Sequence, residues 1–391
     1  MTASSCDRRQ IAVLTVGRSD FGRYRPVLRA LQKDSSVRLR LLVSGAHYAP
    51  AFGETWREVA ESGFAFEAGL EMTLAADTPA AVGKAIGNGA IALSQAFAIN
   101  RPDLLVLLGD RYEMLAGATA ALGFNLPVVH LHGGAVTEGA IDELVRHALT
   151  KLSHFHLVST EEYAARVRQM GEEDWRVVVT GAPGLDELPM LAEMNRAALE
   201  ERLGLDLSAG FLLVSFHPVT LEAARISEQI HSVIEALETV PLPIVLTYPN
   251  ADPGSREIIA ALEAFAASRP SRVRILANAG TTLYASLMAH ASAMLGNSSS
   301  GLVEAPSFRL PVVNIGTRQD GKIRAANVID CRDDGASIAA ALRCALGPNF
   351  RSSLGTLVNP YGDGRAGPRI AALLSRLPLD DRLLRKKFVD R

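Results

Sequence analysis

The chain has 391 residues, 48% of them hydrophobic, and a formal net charge of −2. That length exceeds one ordinary hydrophobic core and predicts two domains. The composition excludes a disordered chain, and a pI near 6.5 with mean hydropathy +0.14 excludes a nucleic-acid groove or an anionic membrane surface as the main partner.

Cys6, Cys331 and Cys344 stand alone without CxxC spacing, which argues against a zinc ribbon or disulfide scaffold and suits a reducing, cytoplasmic setting. Residues 1–10 are polar, and the apolar run 11–16 is too short for a signal-peptide core. No stretch approaches the ~20 apolar residues that span a bilayer.

Short apolar runs recur along the first half at 11–16, 37–44, 104–108, 128–131, 155–159 and 177–180. They are continuous rather than alternating, as in strands buried on both faces. Helical spacing lies between them, as in Tyr24, Val27/Leu28 and Leu31. A helix and Gly-containing turn at 195–207 precede a second series at 211–216, 244–247, 273–276, 293–295, 312–315 and 327–330. Ile226, Ile230, Val233/Ile234 and Leu237 mark a helix within it. Strand and helix alternating at this pitch predict βαβ units. The expectation is an α/β protein of two Rossmann-like, doubly wound domains with parallel sheets, residues 1–190 and 191–366. Ligands of such folds sit outside the carboxyl ends of the strands. Residues 370–388 read as helical and end basic.

The chemically distinctive residues cluster at those strand ends. Gly17-Arg18-Ser19-Asp20 follows the first strand; Arg18 can fork onto a phosphate, or pair with Asp20 in an ordinary turn. Asp110 and Arg111 end run 104–108, where a carboxylate is costly unless bonded or working; a structural Asp110–Arg111 pair is the bland alternative. Alternation puts His130 and His132 on the same face of the strand that they end. No third ligand stands at a recognisable spacing, so proton chemistry at His132 is expected rather than a metal. Asp142 and Arg146 are i, i+4 on the next helix, as are Glu143 and His147; a pocket role and a solvated helix start both fit.

In the second series His217, followed by Pro218, ends run 211–216, and Asn250 lies in a turn-rich segment after 244–247. Gly296-Asn297-Ser298-Ser299-Ser300-Gly301 ends run 293–295. Three hydroxyls between glycines at a strand-to-helix turn predict an anion cradle, against the simpler reading of a Ser N-cap. Arg318 follows run 312–315. Carboxylate and imidazole from one domain, with hydroxyls and cations from the other, suit acid/base work on a phosphorylated ligand.

GDRYEM (109–114), HLHGG (130–134), TEGAIDELVRHALTKLSH (137–154), FHPVT (216–220), YPNADPGSRE (248–257) and GNSSSGLVEAPSFRLPVVNIGTRQ (296–319) together resemble the hydrolysing UDP-N-acetylglucosamine 2-epimerases of sialic-acid pathways, from about residue 10 to about 366. The resemblance implies the glycosyltransferase-B architecture, an active site in the interdomain cleft, and a C-terminal helix, 367–391, packing back on the first domain. It implies a homodimer needing no metal or cofactor, and a UDP-sugar substrate. The implied reaction eliminates UDP across C1–C2, leaving a 2-acetamidoglucal, then adds water to give N-acetylmannosamine. By position, Asp110, His132, Asp142 and His217 take catalytic roles. Arg18, Arg111, Arg146, Asn250, Ser298, Ser299, Glu304 and Arg318 contact substrate. Some relatives carry Glu in place of His132, and many carry Glu in place of Ala135. The second departure admits a legionaminic-type substrate, a UDP-2,4-diacetamido-trideoxyhexose. A non-hydrolysing epimerase, a glycosyltransferase and a silent nucleotide-sugar sensor are the rival readings.

Overall fold

The computed structural model describes residues 8–49, 54–70, 72, 79–137, 141–249 and 254–391. Two compact units emerge, Met1–Asp186 with Tyr361–Arg391, and Glu187–Pro360. The first is discontinuous in sequence, and both junctions fall a few residues before the expected 190/191 and 366/367.

The first unit holds β1 (Arg9–Thr15), β2 (Val37–Ser44), β3 (Phe66–Leu70), β4 (Leu104–Leu108), β5 (Val128–Leu131), β6 (Phe155–Val158) and β7 (Val177–Val179). They form one sheet of order β3-β2-β1-β4-β5-β6-β7, parallel throughout. Strand order reverses between β1 and β4, which opens a crevice at their carboxyl ends. The continuous apolar runs have a direct cause. Ile11, Val13, Leu104, Val106 and Leu108 enter one core, while Ala12, Leu14, Leu105 and Leu107 enter another on the opposite face. Burying one such Leu contributes roughly 1.5–3 kcal/mol, so both faces hold the strand in register.

Helix Arg18–Lys33 buries Tyr24, Val27, Leu28 and Leu31 as their spacing predicts. Residues 361–391 complete this unit. Helix Ala366–Arg376 adds Ile370, Ala371 and Leu374 to the same core. Gly367 permits that approach, since a Cβ there would lie 2.7 Å from Pro26 Cβ. The expected single helix over 370–388 is corrected: it stops at Arg376, because Pro378 removes an amide donor and disfavours helix before it. Beyond it Lys386 Nζ donates to Thr150 O, Lys151 O and Ser153 O at 3.2, 3.0 and 2.7 Å, closing the last turn of helix Ile141–Leu152.

The second unit holds β8 (Leu212–Ser215), β9 (Ile244–Thr247), β10 (Val273–Leu276), β11 (Ala293–Gly296), β12 (Val312–Ile315) and β13 (Val328–Cys331). Their order is β10-β9-β8-β11-β12-β13, again all parallel, with the reversal between β8 and β11. Helix Arg196–Leu203 opens the unit's strand series. Asn195 Oδ1 accepts from Ala198 N at 3.0 Å at its start, and Gly204 closes it at φ 62°. One strand among the described residues lies outside the predicted set. Edge strand β3 reads FEAGL, half exposed and without a continuous apolar run. No helix among the described residues is long and apolar enough to cross a membrane.

Candidate active site

In the first unit the chemistry gathers beside the β1/β4 switch point. Asp110 follows β4, and its Oδ2 accepts a hydrogen bond from Arg146 Nη2. Arg146, on helix Ile141–Leu152, is 1% exposed. It also donates to Glu143 Oε2 at 2.5 Å, Thr137 Oγ1 at 2.7 Å and Ala135 O at 2.8 Å. Burial alone would raise the Asp110 pKa; the charge and hydrogen bond of Arg146, aided by Arg23, pull it below the usual carboxylate range. Asp142 moves the other way, raised by burial and then by the Asp110 charge. Adjacent carboxyls pushed apart in this way are the pattern expected of an acid and a base.

This geometry differs from the three pairings that closeness in sequence offered as alternatives. Arg146 binds Asp110 and Glu143 rather than Asp142, and with both Nη atoms engaged it sits as a positioning cation. Arg111 pairs with Glu113, at 2.7 and 3.3 Å, and approaches Asp20 at 4.0 Å, so it forms no pair with Asp110. Arg18 is half exposed and reaches Glu58 at 3.2 Å rather than Asp20. Asp20 is 2% exposed, and among the described residues its Oδ2 has no hydrogen-bond partner. Burial raises its pKa to about 6 against the pull of Arg111 and Arg23.

The two histidines part company. His130 lies in β5 and its Nε2 donates to Gly109 O at 2.7 Å, fixing the backbone just before Asp110. His132 lies past the strand end at φ 65°, so strand alternation does not place it. A left-handed non-glycine residue stores on the order of 1–3 kcal/mol and is a mark of functional sites. Its Nδ1 lies 2.8 Å from Ser159 Oγ. Burial, then the Arg23 charge, pushes its pKa down to about 3.

In the second unit Gly296 carries φ 141°, and a Cβ there would lie 1.9 Å from Ser215 O, so only glycine lets β11 turn beside β8. Asn297 then ties the two strand ends reciprocally: its Oδ1 accepts from His217 N at 2.7 Å and its Nδ2 donates to His217 O at 2.8 Å. Arg318 Nη1 and Gln319 Nε2 both donate to Asn297 O, at 3.1 and 2.7 Å. Ser298 Oγ bonds Ser300 Oγ at 2.8 Å, which bonds Tyr284 Oη at 2.7 Å. Ser299 carries no side-chain cap for the helical turn Ser300–Val303, but Ser298 Oγ accepts from Ser300 N at 3.4 Å, so the simpler reading of a serine cap holds at Ser298, and the expected helix is a single turn. Glu304 follows it, half-buried. Burial, then Arg318, lowers the His217 pKa to about 4. Asn250 lies outside the described residues.

The structure thus groups Asp110, Arg111, His132, Asp142 and Arg146 in one unit, and His217, Ser298, Ser299, Glu304 and Arg318 in the other. It adds Asp20, Arg23, Glu113, Ser159, Asn297 and Gln319. Arg23 had a signal, one helical turn from Asp20. Ser159 had none, since a lone Ser after a strand looks like any turn. Among the described residues no group of three or more His, Cys, Asp or Glu is arranged to hold a metal.

Two parallel, doubly wound units define a protein of the glycosyltransferase-B-like class. The Neisseria meningitidis UDP-GlcNAc 2-epimerase, in its crystal structure bound to UDP-GlcNAc, has this fold: TM-score 0.79 at 19% identity, covering 93% of this chain and 99% of that one. The model of the UDP-N-acetylglucosamine 2-epimerase family matches residues 29–375, and the chain belongs to that family; it is a UDP-sugar 2-epimerase. It is 38% identical to the Legionella pneumophila UDP-N,N'-diacetylbacillosamine 2-epimerase (hydrolyzing), over 97% of this chain and 98% of that protein. It is 36% identical to the Campylobacter jejuni GDP/UDP-N,N'-diacetylbacillosamine 2-epimerase (hydrolyzing), over 83% of this chain and 84% of that protein.

Proposed function

We propose that this chain is a hydrolysing 2-epimerase of UDP-2,4-diacetamido-2,4,6-trideoxyhexose, releasing UDP and the free 2-epimer for legionaminic-acid-type synthesis. The observation that carries this is the 38% identity to the Legionella relative across nearly the full length of both chains. Ala135 is consistent with it, since many relatives carry Glu there and the loss of a polar partner suits a less hydroxylated sugar. UDP-GlcNAc, released as N-acetylmannosamine, is the second reading, favoured by the family match itself.

In the elimination the C2–H and C1–O bonds break and C1=C2 forms. Asp110, kept ionised by Arg146, takes the C2 proton; the C1–O electron pair leaves with UDP. C2–H is a weak acid, so stabilising the departing diphosphate dominates the barrier. Ser298, Ser299, Arg318 and neutral His217 supply donors for it, and Arg18, Arg111 and Glu304 complete the substrate contacts. In the hydration Asp142, its pKa raised, returns a proton to C2 while water adds at C1. Water's remaining proton resets Asp142, and Asp110 releases its own to solvent. The overall reaction yields UDP, the 2-epimer and one proton. A cytoplasmic homodimer acting without metal completes the proposal.

Incubation with each UDP-sugar in D2O, read by NMR, tests it. A free 2-epimer deuterated at C2, formed at least tenfold faster from the diacetamido sugar, is expected. Preference for UDP-GlcNAc reverses the substrate; product without C2 deuterium removes the elimination.

A further inference from the structure

Three neighbouring strands, β4, β5 and β6, deliver Asp110, His132 and Ser159 just past their carboxyl ends. Ser159 is 3% exposed, and its hydroxyl bonds His132 Nδ1 at 2.8 Å, its one hydrogen bond among the described residues. The opposite face of the ring carries Nε2, buried and without a partner among the described residues. The tautomer follows from what each atom can do. A hydroxyl both donates and accepts, and a neutral imidazole has one N–H. If Nδ1 held the proton and donated to Ser159, the serine proton would be buried with no acceptor, a costly arrangement. If Ser159 donates to Nδ1, the serine is satisfied and Nε2 holds the ring proton, so one group, the Nε2 N–H, awaits a partner where the other tautomer leaves two, the serine proton and the Nε2 lone pair. His130 next door has the same polarity, because Gly109 O can only accept from its Nε2.

We propose that Ser159 locks His132 as the neutral imidazole protonated at Nε2, and that this N–H donates a hydrogen bond to an oxygen of the bound nucleotide sugar while keeping its proton. This rests on the epimerase reading for its second half only; the tautomer is a property of the free protein. The charged groups around the ring agree. Arg23, Arg146 and His130 oppose an imidazolium, and Asp110, which favours one, is already held by Arg146. His132 is then a polarising donor beside the proton-carrying carboxyls, and Ser159 is a positioning residue. A neutral histidine used in this way is a known catalytic device.

Nitrogen-15 NMR of histidine-labelled full-length protein, without substrate, tests the first half. Expected is an unprotonated Nδ1 and a protonated Nε2 on His132, unchanged between about pH 8 and pH 5. A proton on Nδ1, or an imidazolium in that range, overturns the proposal. Ser159→Ala should mix the tautomers and lower kcat about tenfold with KM nearly unchanged, and Ser159→Thr, which keeps the hydroxyl, should restore both. His132→Gln places an amide N–H near Nε2 and should keep kcat within about tenfold, whereas His132→Ala should lose on the order of a hundredfold. Equal losses in the two His132 variants overturn the donor role. If the unaltered protein epimerises neither UDP-sugar, the functional reading fails while the tautomer result stands.

Discussion

The two units solve the same placement problem with different chemistry. In the first, the strand ends carry formal charges held in pairs, each with one buried member: Asp110 with buried Arg146, and Arg111 with buried Glu113. In the second, they carry a chain of neutral dipoles, Ser298–Ser300–Tyr284–Ser215–Thr247, with Arg318 anchored on the Asn297 carbonyl. Buried charges set proton affinities; oriented hydroxyls and amides hold an anion with little reorganisation. Under the proposed reaction, this contrast gives proton transfer to one unit and leaving-group stabilisation to the other.

Substitutions can break that division. Asp110→Asn should lower kcat about a thousandfold while UDP affinity, measured by calorimetry, stays within about twofold. A large loss of UDP affinity would merge the two roles. Next, Arg146→Met leaves Asp110 and Glu143 without their buried cation. It should destabilise the protein by about 3–5 kcal/mol in denaturant titration. In protein that still folds, the acid limb of kcat/KM should move to higher pH, because the pull that lowers the Asp110 pKa is gone.

The pH dependence of stability comes third. His130, His132 and His217 have pKa values lowered to about 4, 3 and 4, each with burial as the largest cause. A depressed histidine keeps the folded state unprotonated while the unfolded chain takes up protons below about 6.5. Its stabilisation is therefore full above that pH and is lost progressively from there down to the folded value. Each should cost about 1.4 kcal/mol at one unit below 6.5. Melting temperatures that stay flat between pH 7 and about pH 5.5 would show that these rings are not buried neutral. The smallest effect sharpens the other side: Arg318→Ala should weaken UDP binding about tenfold, with kcat per bound substrate reduced less than in Asp110→Asn.

Much of this was legible in the sequence, for a physical reason. Strands buried on both faces need continuous apolar runs, and chemistry placed at their carboxyl ends interrupts those runs with polar residues. So Asp110, His132, His217 and Ser298 stood out, and runs such as 37–44, 104–108, 128–131, 244–247 and 312–315 coincide with the strands. What failed to show had no such interruption. Edge strand β3 is half-wet and lacks the run. Partners were harder still: i, i+4 spacing offered Asp142 to Arg146, whereas a carboxylate from the neighbouring strand end was nearer. Ser159 matters only through a ring it meets across the sheet, a contact set by β5–β6 register rather than by any local pattern.

The discontinuity of the first unit also bears on biosynthesis. Every residue of Glu187–Pro360 leaves the ribosome before helix Ala366–Arg376 exists. The second unit can therefore finish folding while the first still lacks Ile370, Ala371 and Leu374 from its core, and while the surface of helix Arg18–Lys33 around Pro26, which Gly367 approaches, is uncovered. Over that interval the nascent chain exposes apolar surface that the completed enzyme never shows, and chaperone demand should fall there rather than on the interrupting unit.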